Sequence, residues 1–95
     1  MVIPMTKHEE LRKEINKIDE SLVELFEARM NICKEIAAYK SKKNIKIFDK
    51  QREQEVVKNN VSRLTDHEFD IHAERFFKEL MKISRKIQKE HIQSL

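Results

Sequence analysis

The chain has no glycine, no tryptophan, one proline (Pro4) and one cysteine (Cys33) among its 95 residues. Tight hairpin loops need residues that accept positive φ, glycine above all, so the missing glycines argue against β-hairpins. They also exclude a Gly-rich loop that cradles phosphate. A single proline at position 4 leaves the rest of the chain free of the strongest helix breaker. One cysteine excludes an internal disulfide, and Cys33 reads as a buried thiol in a helical stretch, which fits a reducing compartment. No apolar run approaches the roughly 20 residues of a membrane span, and residues 1–5 are too short for a signal segment, so a cytoplasmic protein is expected. These absences leave an all-α fold, read as one domain over residues 1–95.

Charge and helical periodicity are what the chain has in quantity. Charged residues make up 39% of it, so the apolar supply is modest and a lone monomer of this size would be marginally stable. The formal net charge is +3, and Lys40, Lys42, Lys43 and Lys46 cluster between two helical stretches. Such a run is either a solvated loop or a funnel for a small polyanion. Nucleic acid fits poorly, because aromatics do not interleave with these lysines and acidic residues are spread along the chain.

Thr6 followed by Glu9 forms a capping-box pattern, and no breaker intervenes from there to about Lys43. That predicts a first helix of roughly 55 Å at about 1.5 Å per residue, long beside the radius of gyration of about 13 Å typical of a compact domain this size. Two chains packed along their first helices would resolve the mismatch, so an intertwined homodimer is expected. Residues 41–48, with Asn44 and alternating Ile45 and Ile47, read as a connection. Asp49 opens a shorter helix to about Ser62, with Val56, Val57 and Val61 as its apolar contacts. Thr65 to Glu68 repeats the capping-box spacing and predicts a third helix to about Gln93. The architecture is long, short, long.

Both long helices carry a four-three seam. The first runs through Leu11, Ile15, Ile18, Leu22, Leu25, Arg29, Ile32, Ile36 and Tyr39, and the third through Phe69, Ala73, Phe76, Leu80, Ile83 and Ile87. Arg29 is the exception in an apolar row, and a guanidinium cannot shed its proton, so it asks for an anion. Lys40, eleven residues on, returns to within about 20° of the same face, roughly 16 Å away, so both cations can bend toward one ligand. Arg12 points about 100° away from that direction and is better placed to serve a partner chain. At the start of the second helix, Asp49 reads as a cap, while Arg52 and Glu53 offer a donor fork beside an acceptor, either as plain surface charge or for a hydroxyl-bearing ligand. Ser84 and Gln88, spaced i, i+4 beside the third seam, read either as helix-flank residues in solvent or as uncharged donors near a pocket.

Other chemistries lack support. His8, His67, His72 and His91 show no zinc spacing, Glu68 and His72 would make too few ligands for a metal, and no base is placed to activate Cys33 as a nucleophile.

Taken together, residues 11–53, LRKEINKIDESLVELFEARMNICKEIAAYKSKKNIKIFDKQRE, closely resemble the all-helical (type II) chorismate mutase family. The likeness rests on the L-R and I-D pairs, the arginine in the leucine-rich seam, the lysine eleven residues later and D-x-x-R-E. Ser84 and Gln88 extend it to the third helix. The resemblance implies rearrangement of chorismate to prephenate, on the way to phenylalanine and tyrosine, with no cofactor and no metal. It implies that Arg12 crosses to the partner's site, that Arg29 and Ser84 hold substrate carboxylate, and that Lys40 contacts a carboxylate and the ether oxygen. Arg52, Glu53 and the backbone near Asp49 would hold the ring side, with Glu53 accepting from the ring hydroxyl, and Gln88 would be the second donor to the ether oxygen.

One departure is the absence of a proline just before D-x-x-R-E, which leaves the order of residues 41–48 before substrate arrives in question. Two alternatives remain open on sequence alone. One is an isochorismate pyruvate-lyase on the same scaffold, which the intact D-x-x-R-E disfavours. The other is a non-catalytic basic helical interaction module, which has no reason to bury Arg29 or to set Lys40 on its face.

Overall fold

A computed structural model describes residues 2–95, and its regular elements are all helical: α1 (Lys7–Lys42), α2 (Lys50–Ser62) and α3 (Asp70–Gln93), with a 3-10 turn (His67–Phe69) leading into α3. The long, short, long order expected from periodicity is found. No strand occurs among the described residues, and none of the helices is long and apolar enough to cross a membrane. The chain forms two compact units, one ending at Asn31 and the other spanning Ile32–Leu95.

The first unit begins with the capping box read from Thr6 and Glu9. The Glu9 backbone N–H donates to Thr6 Oγ1 at 3.2 Å, and the Thr6 N–H donates to Glu9 Oε2 at 3.3 Å. Two of the orphan donors at a helix start are thereby satisfied reciprocally. Leu11, Ile15, Ile18, Leu22 and Leu25, the apolar seam of this stretch, are all exposed, Ile18 at 60% and Leu25 at 67%.

In the second unit, α1 ends where Asn44 takes a left-handed conformation, φ 56°. The Ile45 N–H returns to the Lys40 carbonyl at 2.8 Å and the Asn44 N–H to the Ser41 carbonyl at 3.2 Å. This is a Schellman closure, normally built on glycine. In a chain without glycine, asparagine is the residue that tolerates the left-handed region best. Asp49 then caps α2, its Oδ1 accepting the Arg52 N–H at 3.0 Å.

The start of the third helix differs from the Thr65–Glu68 expectation. Asp66, not Thr65, is the capping residue: its Oδ1 accepts the Glu68 N–H at 3.0 Å, and it caps the 3-10 turn rather than α3 itself. The turn feeds directly into α3, whose N-cap, Phe69, makes no side-chain cap bond. An aspartate that bonds two residues ahead suits the tighter turn, whereas the capping box needs a three-residue reach.

α2 packs on α3. The buried positions of the unit are Cys33 and Ala37 on α1, and Met81, Ser84 and Gln88 on α3. Cys33 is therefore a core thiol, as read. On α3 this buried line lies one residue beyond the predicted seam, about 100° round the helix. Phe69, Phe76 and Ile83 of that seam are exposed, Phe76 at 56%.

The closure at Asn44 should be measurable. Asn44→Ala is expected to lower unfolding free energy by about 1 kcal/mol, the penalty of a Cβ in the left-handed region without a compensating polar side chain, whereas Asn44→Gly should leave it unchanged or raise it. Urea unfolding followed by helical circular dichroism gives both values; equal losses in the two variants would contradict the assignment.

Candidate active site

The second unit holds Lys40, Asp49, Arg52, Glu53, Ser84 and Gln88 of the candidate residues, and Arg12 and Arg29 lie in the first. Lys40 occupies the last turn of α1, half-buried. Its ammonium donates to the Ile47 carbonyl at 3.1 Å, while its own carbonyl accepts the Ile45 N–H in the Schellman closure. The connecting loop is thus wound onto Lys40 at both ends of that residue. An ammonium has three donors, and the loop contact uses one.

Asp49 and Arg52 are joined by the cap, so the Asp49 carboxylate is engaged in holding the helix start. The sequence placed Arg52 and Glu53 side by side, but on the helix they face different surroundings. Arg52 is well exposed, with a loose 4.0 Å contact to Glu55. Glu53 is half-buried and reaches across to α3, where its Oε2 lies 2.8 Å from Arg85 Nε. That Nε makes no directed hydrogen bond, so the pair is held by charge proximity rather than by an aligned N–H.

Ser84 and Gln88, 5% and 8% exposed, are the two buried polar residues of the chain's described part, one turn apart on α3 with Met81 preceding them. The Ser84 hydroxyl donates to the Leu80 carbonyl at 2.7 Å, a common resolution for a serine inside a helix. Gln88 is different: its Oε1 is buried with no hydrogen-bond partner among the described residues. Leaving such an atom unsatisfied costs about 1–3 kcal/mol, and a donor on a bound molecule would offset it. Arg29 and Ser84 each make interactions within the protein besides these, and Arg29 is half-buried. Arg12 is exposed.

Sequence reasoning missed Arg85 and Phe48. The Arg85 guanidinium sits 4.7 Å from the centre of the Phe48 ring, a cation–π distance. A usable signal existed: Arg85 stands four residues after Met81 and three before Gln88, the spacing of neighbours on one helix face. A groove of about 250 Å³ between α2 and α3 is lined by Phe48, Glu53, Val57, Met81 and Arg85 among others. Lys40, Ser84 and Gln88 are not among its walls, so it is not the pocket that the candidate residues describe.

The described elements are all helical, and α3 buries a serine and a glutamine one turn apart. Comparison with known proteins specifies the class. The family profile for chorismate mutase type II matches residues 11–89. A bifunctional chorismate mutase/prephenate dehydratase of Aquifex aeolicus (strain VF5) is 42% identical over 52 residues, 55% of this chain. The aligned stretch spans only 14% of that relative's length. The chain belongs to the type II chorismate mutase family.

The unsatisfied Gln88 carbonyl leads to a stability prediction independent of any assay. Gln88→Met, similar in length and shape but without the orphaned oxygen, should raise unfolding free energy by about 1 kcal/mol. Chemical denaturation measures it, and a clear loss of stability would mean that the oxygen has a partner after all.

Proposed function

We propose that the chain is a chorismate mutase, converting chorismate to prephenate for phenylalanine and tyrosine synthesis. The observation that carries the reading is the match to the family over residues 11–89, a stretch that includes every candidate residue. The similarity to the Aquifex protein supports it. We read residues 1–95 as one catalytic domain, because the matched stretch draws on both units.

The chemistry suits these side chains. A Claisen rearrangement is unimolecular and concerted, with one C–O bond breaking as one C–C bond forms. It needs no nucleophile, only restraint of the reactive conformer and relief of charge on the departing ether oxygen. Arg12, Arg29 and Ser84 would hold carboxylates. Lys40 and Gln88 would donate to the ether oxygen, where negative charge grows. Arg52 and the backbone at Asp49 would bracket the ring side, and Glu53 would accept from the ring hydroxyl. Partial burial of Lys40 and near-complete burial of Ser84 and Gln88 support these roles, since donors in a dry site act more strongly on developing charge.

The partner we infer is a second copy of the chain. Exposed apolar seams on α1 and α3 support a homodimer, because rows of uncovered Leu, Ile and Phe at helical spacing are surfaces that ask to be covered. Arg12 would then serve the partner's site. The buried Cys33 thiol and the absence of a second cysteine suit a cytoplasmic setting. Neither the family match nor the relative favours the lyase or the non-catalytic module.

The direct test is conversion of chorismate to prephenate by the purified chain; pyruvate release from isochorismate without prephenate formation would replace this reading with the lyase. Lys40→Ala should cut turnover about 100-fold or more, the usual effect of losing a donor to developing negative charge, while retaining helical content. Mixing inactive Arg12→Ala and Arg29→Ala chains should restore part of the activity, since each exchanged dimer would hold one site with both arginines. Absence of recovery after demonstrated subunit exchange would exclude a shared site.

A further inference from the structure

Arg85 has no role in the proposed reaction, yet it joins α3 to other elements of the second unit. It reaches from α3 to two points on the segment that carries Asp49, Arg52 and Glu53. Its Nε lies 2.8 Å from Glu53 Oε2, and its guanidinium covers the Phe48 ring at 4.7 Å. Both members of the ion pair are sheltered, with side chains 30% and 21% exposed, in contrast to 65% and 54% for Arg52 and Glu55. Exposed pairs contribute little, whereas sheltered ones hold geometry. The Arg85 Nε is buried with Glu53 as its only ionic partner among the described residues.

We propose that Arg85 is a positioning residue that holds the Glu53 carboxylate in the orientation needed to accept from a ligand hydroxyl. The inference rests on the chorismate mutase reading above and deepens it. A half-desolvated carboxylate needs a counter-charge, and Arg85 supplies it from the far side at Oε2. An ionised carboxylate accepts at both oxygens, so contact at Oε2 leaves Glu53 with acceptor sites for a second donor. The stack on Phe48 fixes the guanidinium itself, and Phe48 directly precedes the Asp49 cap, so one side chain ties the loop end and the first turn of α2 to the helix of Ser84 and Gln88. Arg85 acts through Glu53 and does not touch substrate.

The test is a double-substitution cycle in steady-state chorismate kinetics, with circular dichroism on every variant. Arg85→Ala should raise KM about 10-fold, the loss expected for one charge-assisted contact, with a smaller change in kcat, and Arg85→Lys should recover part of the loss. In a Glu53→Gln background, Arg85→Ala should change kcat/KM by less than about 2-fold, since the group it positions no longer carries charge. If Arg85→Ala fails to fold, the cycle is run with Arg85→Met, which keeps an apolar stem on Phe48. An undiminished Arg85 effect in the Glu53→Gln background, or no effect in the parent, overturns the inference while the mutase reading stands. A parent chain with no chorismate turnover overturns both.

Discussion

Both long helices carry two stripes, and the stripe that the chain buries is not the more apolar one. On α3 the buried line is Met81, Ser84 and Gln88, and the exposed line next to it contains Phe69, Phe76 and Ile83. On α1, Met30, Cys33 and Ala37 are buried, while Ile32 and Ile36, each one residue before Cys33 and Ala37, are exposed, as is Tyr39. For an isolated chain this is an unusual arrangement: two methionines, two small residues and the polar Ser84 and Gln88 inside, and many large aliphatic and aromatic side chains outside. It becomes coherent if the inner stripe belongs to a ligand and the outer stripe to another copy of the chain. Burying Gln88 with its oxygen unsatisfied lowers stability, and covering the seams would raise it.

Side-chain ties add to the apolar packing of Cys33, Ala37 and Met81 in the second unit. Lys40 bonds the loop at Ile47, Asp49 caps α2, and Arg85 joins α3 to Glu53 and Phe48. Each tie ends on a residue that the proposed reaction uses or on its immediate neighbour. A reaction catalysed by positioning and preorganised charge needs side chains that do not reorganise as the barrier is crossed. A hydrophobic cluster would hold the helices together, but it would not fix the orientation of a carboxylate or an ammonium.

Much of this was legible in the residues. Helix ends could be read because caps are local: Thr6 with Glu9 and Asp49 do what their side chains allow within one turn. The Thr65–Glu68 box failed for the same reason, since Asp66 bonds two residues ahead and wins the contact. Periodicity found a seam on each long helix, yet it could not say which neighbouring stripe faces inward within one chain, because a four-three pattern marks an apolar face and not the partner that covers it. Arg85 escaped notice because its partners, Glu53 and Phe48, lie on other elements, and its spacing from Met81 and Gln88 marks a shared helix face but not the groups it meets there.

The loop that lacks a proline shows how a different device can serve the same end. Proline would restrict the chain at one φ angle. Here Asn44 turns the chain through the left-handed region, the Ile45 N–H closes on the Lys40 carbonyl, and the Lys40 ammonium takes the Ile47 carbonyl. Order in the loop and orientation of Lys40 are therefore one property, because the same residue anchors both. An ammonium with one donor committed to the loop has two left, so gripping a carboxylate does not require the loop to be released. The side chain that would meet the developing charge is thereby held by the backbone that leads into Asp49, Arg52 and Glu53.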